Sequence, residues 1–326
     1  MIRSEYHLRL LKSLRGLAAI VLPLIFVIGF SGCSEQGTGQ ARKGGGSQDT
    51  LKIGISFQEL DNPYFTVMKE ALDQAAGSIG AQLYVTDARH DITKQISDIE
   101  DLVQKGIDIL LVNPTDSVGI EGAVRSAHDA GVVVVAVDAQ ANGPIDSFVG
   151  SKNYDAGFLA GEALARTLEG KGNVAILDGI PVVPILERVR GFRDAVAKHA
   201  GIKIVDVQNG KQERSTALSV TENMIQSHPE MNGLFSVNDG GALGAFAAVQ
   251  ASGKNIALVS VDGQAEVVDE VAKGGIFKAT VAQFPRDQVR IALGLALAKH
   301  WGAAVPKHVP IDVKLLTAEN ARGFRW

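Results

Sequence analysis

Polar side chains suited to gripping hydroxyl groups recur in this sequence in one kind of place, directly after short apolar runs. Asn62 and the adjacent aromatics Tyr64 and Phe65 follow KIGISF, Asn113 follows IDILLV, and Asp138 follows VVVVAV. Further along, Asp178, Asn238 with Asp239, Asp262 and Gln283 stand in the same relation to NVAIL, GLFSV, ALVSV and ATVA. Any one Asp or Asn in such a place suits a helix N-cap or a turn. Several of them with two aromatics suit something else. Carboxylates and amides make paired, charge-assisted hydrogen bonds to closely spaced hydroxyls, and aromatic rings lie well against apolar C–H faces. The set reads as a site for a neutral sugar or polyol.

Other chemistries find little support. The 7 histidines are scattered, with no HExxH spacing for a metal. No GxSxG elbow or phosphate-binding loop of the Walker type occurs, and GALGAF lacks the GxGxxG of a dinucleotide fingerprint. No metal, cofactor or enzymatic activity is therefore expected. Asp138 and Asp262 could form a glycosidase pair, but nothing in their sequence context gives either one a raised pKa. A sugar-acting enzyme stays as the alternative.

The elements that must position these residues follow a regular alternation. LKIGISF, AQLYVTDA, IDILLVNP and VVVVAVDA are β-rich, and between them lie amphipathic stretches such as ISDIEDLVQKG, where Ile96, Ile99, Leu102 and Val103 fall at helical spacing and Gly106 ends the helix. Apolar strands alternating with helices predict a parallel sheet with both faces covered. The alternation then runs again through GNVAILDG, IKIVDVQNG, MNGLFSVND, IALVSVDG and FKATVAQFP. Two such units in 326 residues imply two α/β lobes. Open parallel sheets bind ligands beyond the carboxyl ends of their strands, where the polar residues stand.

A net charge of −4 with both signs interspersed leaves no broad basic surface for nucleic acid. The first 33 residues differ in kind: Arg3, Arg9, Lys12 and Arg15 precede an almost unbroken apolar run, Gly16 to Phe30, closed by FSGC. That is the pattern of an export signal, too short for a comfortable membrane span. Cys33 is the chain's 1 cysteine, which rules out an intrachain disulfide. Residues 34–50 are Gly- and Ser-rich and read as a flexible tether.

FSGC resembles the lipobox of bacterial lipoproteins, which implies lipidation of Cys33 and a membrane-anchored, exported, periplasmic protein. From Leu51 to about Leu316 the chain resembles the periplasmic ribose-binding protein family, the solute receptors of bacterial ABC sugar importers. The matching motifs are NPYF, ILLVNPTDS, VVAVDAQA, LERVRGF, FSVNDGGALGA, LVSVDG and ATVAQFP. The resemblance implies two Rossmann-like lobes with parallel sheets flanked by helices, joined by a three-strand hinge. One lobe would be 51–151 with 284–311, the other 152–283 with 312–326. It also implies a monomer that delivers its ligand to a membrane permease. From the first lobe Tyr64 and Phe65 would stack on the sugar, with Asn62 and Asp138 binding hydroxyls. Arg188, Asn238, Asp262 and Gln283 would complete the cage from the second.

This chain departs from the family at Ala139, where an arginine is usual, and at Gln212, which aligns with an aromatic. Gln58 and Glu59 add polar capacity beside Asn62. The departures shift the expectation from ribose toward another sugar, a linear polyol or a cyclitol, and toward an amino-bearing ligand if Glu59 faces the cleft. Related regulators carry an N-terminal DNA-binding motif where this chain has an export signal. A sensor docking on a chemoreceptor or histidine kinase remains a second alternative.

Overall fold

The computed structural model describes residues 50–326; the segment read as an export signal, Cys33 and nearly all of the stretch read as a tether lie outside them. The chain begins with β1 (Lys52–Phe57), α1 (Pro63–Ser78), β2 (Gln82–Asp87), α2 (Ile92–Gln104), β3 (Ile109–Val112), α3 (Glu121–Asp129), β4 (Val133–Val137) and β5 (Ser147–Ser151). A second run follows: α4 (Asn153–Thr167), β6 (Lys171–Asp178), α5 (Val183–Val196), β7 (Gly201–Asn209), α6 (Arg214–Ser227), β8 (Gly233–Ser236), α7 (Asp239–Ser252), β9 (Ala257–Asp262), α8 (Ala265–Lys273) and β10 (Phe277–Ala282). The chain closes with α9 (Pro285–His300), β11 (His308–Ile311) and β12 (Lys314–Thr317).

These strands form two six-stranded sheets, ordered β11-β5-β4-β3-β1-β2 and β12-β10-β9-β8-β6-β7. Every pairing is parallel except that of β12 with β10. The backbone passes between the sheets after β5, after β10 and after β11. The fold class read from the sequence is the one observed.

Each sheet is sandwiched between helices. On the first, Met68 and Leu72 of α1 and Leu293 of α9 pack on one face, while Ile99 and Leu102 of α2 and Val124 of α3 cover the other. On the second, Phe192 of α5 stacks on Phe235 of β8 at 4.4 Å between ring centroids, and α6, α7 and α8 cover the opposite face. The central strands β3, β4, β8 and β9 are buried throughout, as two-sided covering requires. β2 and β7 are not; they are edge strands and stay half-exposed. The sequence reading treated all strands as apolar on both faces, which holds only away from the edges. It also passed over β5, β11 and β12, short strands of 4 or 5 residues with mixed composition.

No helix among the described residues is long and apolar enough to cross a membrane.

Candidate functional site

The carboxyl ends of both sheets face one another across a cleft. Gln58, Asn62, Tyr64, Phe65, Asp138 and Ala139 line it from the first lobe, and Val182, Pro184, Ile185, Arg188, Gln212, Asn238, Asp262 and Gln283 from the second. The ten residues named as ligand contacts, Gln58 and Gln212 included, are among them, whereas Asn113, Asp178 and Asp239 of the strand-end set are not. Non-atom space within these walls is about 400 Å³, yet only about 30 Å³ is open to the centre of a water molecule. The space between the two sets of walls is narrow.

Local folding rules place the polar groups. Pro63 opens α1, and Asn62 caps it by accepting from the Tyr64 N–H at 3.0 Å. This sends Tyr64 and Phe65 into the first turn, their rings edge-to-face at 5.2 Å. Asn238 caps α7 in the same way, accepting from the Gly241 N–H at 3.0 Å, and its amide donates to the Gln212 carbonyl at 3.2 Å. Both asparagines thus fill the capping role as well as lining the cavity. Asp178 only accepts from the adjacent Gly179 N–H and stays outside the cavity walls.

Asp138 and Asp262 sit at backbone angles that L residues rarely adopt, φ 65° and φ 137°, and Gln212 at φ 63°. Such conformations persist where surroundings over-determine them. Asn113 supplies this for Asp138, donating from Nδ2 to its carboxylate at 3.2 Å. Asp262 is held more fully. Its Oδ1 accepts from Gln283 Nε2 at 2.8 Å and Arg188 Nη1 at 3.3 Å, and its Oδ2 from the Asp239 N–H at 3.2 Å. Asp239 itself, beneath the cavity floor, accepts from the N–H groups of Gly263 and Gln264 and the hydroxyls of Ser260 and Thr280. That carboxylate pins the turn that carries Asp262.

Arg188 is buried within α5. It donates from Nε to Asn153 at 2.8 Å and from Nη1 to the Val237 carbonyl at 2.8 Å. Nη2 takes part in none of these bonds. Helices α4 and α5 cross closely enough here that a Cβ on Gly157 would fall on the Arg188 carbonyl, and one on Gly191 on the Tyr154 carbonyl. Both positions need glycine for the close approach. Gln58 Oε1 is buried without a hydrogen-bond partner among the described residues, which is costly unless a ligand donates to it.

Burial pushes the Asp138 carboxyl up to about 6, against the pull of Arg188 and of a nearby Tyr64 hydroxyl. Burial also raises Asp262, again opposed by Arg188, and raises the Tyr64 hydroxyl well above its usual range. The sequence offered no reason for a raised carboxyl; desolvation between two lobes supplies one.

Glu59 does not line this cavity. It stands at the cleft mouth, where its Oε2 pairs with His90 Nε2 at 2.9 Å, in a wider opening of about 630 Å³ shared with Asp61, Glu213 and Arg214. The conditional argument for an amino-bearing ligand loses its premise. Glu59, Asp61 and His90 lie within 4.8 Å of one another, but two of the three are exposed. The residues sequence reasoning missed are Val182, Pro184 and Ile185. They supply an apolar wall from the second lobe, while Gln212, the position aligned with an aromatic, lines the cavity as well.

Two α/β lobes of parallel sheets, with a polar, carboxylate-bearing cavity between their strand ends, define a two-lobed solute-binding architecture. Residues 53–301 match the family model described as periplasmic binding protein domain, and the chain belongs to that family. It is 36% identical over 274 residues to the ribose import binding protein of Bacillus subtilis, covering 83% of this chain and 89% of that one. Among solved structures it is similar to an ABC transporter solute-binding protein from Mycobacterium smegmatis with bound glycerol, at TM-score 0.80 and 32% identity, covering 83% of this chain and 96% of that one. A Caulobacter myo-inositol-binding protein bound to myo-inositol gives TM-score 0.79 at 30% identity, covering 83% and 94%.

Proposed function

We propose that this protein is the extracytoplasmic receptor of an ABC importer, capturing a neutral sugar or polyol between its lobes and delivering it to the membrane permease. One observation carries this reading: Asp138 from one lobe and the Asp262–Arg188 pair from the other line a single cavity between the lobes. A ligand hydroxyl donates to each carboxylate and accepts from Arg188 Nη2 or the amides of Gln58 and Gln212. Tyr64, Phe65, Val182, Pro184 and Ile185 meet its C–H surface. The relatives that bind ribose, glycerol and myo-inositol lend support.

Because the contacts are divided between lobes, only the closed form offers all of them to one molecule. Ligand therefore shifts the population toward closure in proportion to its preference for that form, and closure about the three crossovers presents the surface read by the permease. No bond in the ligand is made or broken, and sugars incubated with the protein are expected to be recovered unchanged. With Ala139 and Gln212 in place of an arginine and an aromatic ring, hydroxyl geometry weighs more than ring stacking from the second lobe in selection. The protein acts as a monomer, held near the membrane by a lipid on Cys33 and the tether that follows it.

A thermal-shift screen of pentoses, hexoses, tetritols, pentitols and inositols tests the reading, since a ligand of the folded form raises Tm by mass action. The reading requires at least one compound to raise Tm and to make the protein more compact in X-ray scattering. A screen with neither effect removes it.

A further inference from the structure

Beyond β12 the chain returns to the rear of the cavity. Phe324 packs into the core of the second lobe and meets Phe284 edge-on at 6.2 Å, while Arg325 pairs with Asp269 at 2.8 Å. Two residues on, Trp326 packs against the core of the first lobe instead. Its ring stands edge-to-face to Tyr64 at 5.8 Å and 86°, and its indole Nε1–H donates to the Asp262 carbonyl at 3.0 Å. That carbonyl also accepts from the Gln283 N–H at 2.9 Å. Trp326 is not a cavity-lining residue, so it touches from behind two residues that line the cavity from opposite lobes.

We propose that Trp326 is a positioning residue that ties the lobes together behind the cavity and sets how far they open. Any lobe movement that changes the separation of Tyr64 from Asp262 must break the ring contact or the indole hydrogen bond. Both contacts therefore weight the equilibrium toward the closed arrangement. Tyr64 is further fixed by Gln288, whose Nε2 donates to its hydroxyl at 2.8 Å and to Ser151 Oγ at 2.7 Å, beside the first crossover. Trp326 adds the link from that hinge-side cluster to the backbone of Asp262. The effect on lobe separation stands by itself, whereas the effect on ligand affinity rests on the function proposed above.

The test compares wild type, Trp326→Phe and Trp326→Ala, each verified as folded by circular dichroism. Scattering from ligand-free protein reads lobe separation, and calorimetry with ribose, xylitol, glycerol and myo-inositol reads affinity. Trp326→Ala is expected to enlarge the ligand-free radius of gyration and to weaken binding about tenfold, the scale of one lost aromatic contact. Trp326→Phe keeps a ring against Tyr64 but loses the N–H, so it is expected to fall between the two and decides the matter if the alanine variant does not fold. The sequence holds 2 tryptophans, so in a Trp301→Phe background the emission of Trp326 reports the contact directly and is expected to change on adding ligand. A ligand-free radius of gyration unchanged in the folded variants overturns the inference, whatever happens to binding. If wild type binds none of the four probes the functional reading is what fails, and scattering still decides the role of Trp326.

Discussion

Arg188 Nη1 and Asp262 Oδ1 face each other at 3.3 Å with both side chains only 5% exposed, inside the second lobe but at its cavity wall. Taking two charges out of water is expensive, and an ion pair this deep is weak evidence for stability in its own right. Its placement makes sense as a fixed acceptor–donor edge for a ligand.

Asp262→Asn keeps the shape and removes the charge. It is expected to cost about 1.5–3 kcal/mol of binding, the value of a hydrogen bond to a charged group, in calorimetry with any ligand the screen finds. Asp262→Ala strands a buried guanidinium and is expected to lower folding stability by about 3–5 kcal/mol. Unchanged affinity in the asparagine variant removes Asp262 from the site.

Asp138 gives binding a pH dependence with a definite sign. Its carboxyl lies near 6 in the ligand-free fold, above its ordinary 3.8. The folded state thus holds this proton more tightly than the unfolded chain, and the group makes the fold less stable as pH rises between those values. In the proposed function ligand hydroxyls donate to the ionised form, so affinity is expected to fall as pH drops through about 6. A protein nine-tenths protonated at Asp138 binds up to about tenfold more weakly, at about pH 5 compared with about pH 7.5. Titration calorimetry across that range should show the loss, and Asp138→Asn should flatten it.

Tyr64 is both wall and core. Tyr64→Ala empties a buried site between Phe65 and Trp326 and is expected to cost about 3–5 kcal/mol of stability, which would obscure any binding effect. Tyr64→Phe removes only the hydroxyl that accepts from Gln288. Chemical denaturation should show a loss of about 0.5–1.5 kcal/mol.

Two glycines make a matched pair. Gly157→Ala drives a methyl into the Arg188 carbonyl and is expected to cost about 1–3 kcal/mol as an overpacked contact, with weaker ligand binding because α5 carries Arg188. Gly294, exposed on α9, has nothing within 4 Å of its would-be Cβ. Gly294→Ala is expected to stabilise by about 0.5–1 kcal/mol. Equal effects of the two substitutions would contradict the close-crossing account.

Sequence revealed those parts of the site that depend on local rules. Asp138, Asn238, Asp262 and Gln283 are polar residues ending apolar strands, and that pattern alone puts them at the rim of a parallel sheet. Val182, Pro184 and Ile185 gave no such signal, because an apolar loop residue looks the same whether it faces a core or a ligand. Glu59 looked available until the fold brought His90 to it from 31 positions away. Trp326 was invisible for a related reason: its partners Tyr64 and Asp262 are set by how the two lobes meet, which no local periodicity encodes. β11 and β12 were missed because HVPI and KLLT lie at sheet edges, largely unburied and of mixed composition, unlike the equally short but fully buried β3 and β8.

The pairing of β11 with β5 also bears on how the chain is made. β5 borders β4 on one side, and its other edge stays unfilled until His308–Ile311 arrives. Roughly 150 residues separate the two strands, so that edge closes only when nearly the whole chain is available to fold. A first sheet formed earlier presents bare backbone N–H and C=O groups of the kind that recruit neighbouring chains.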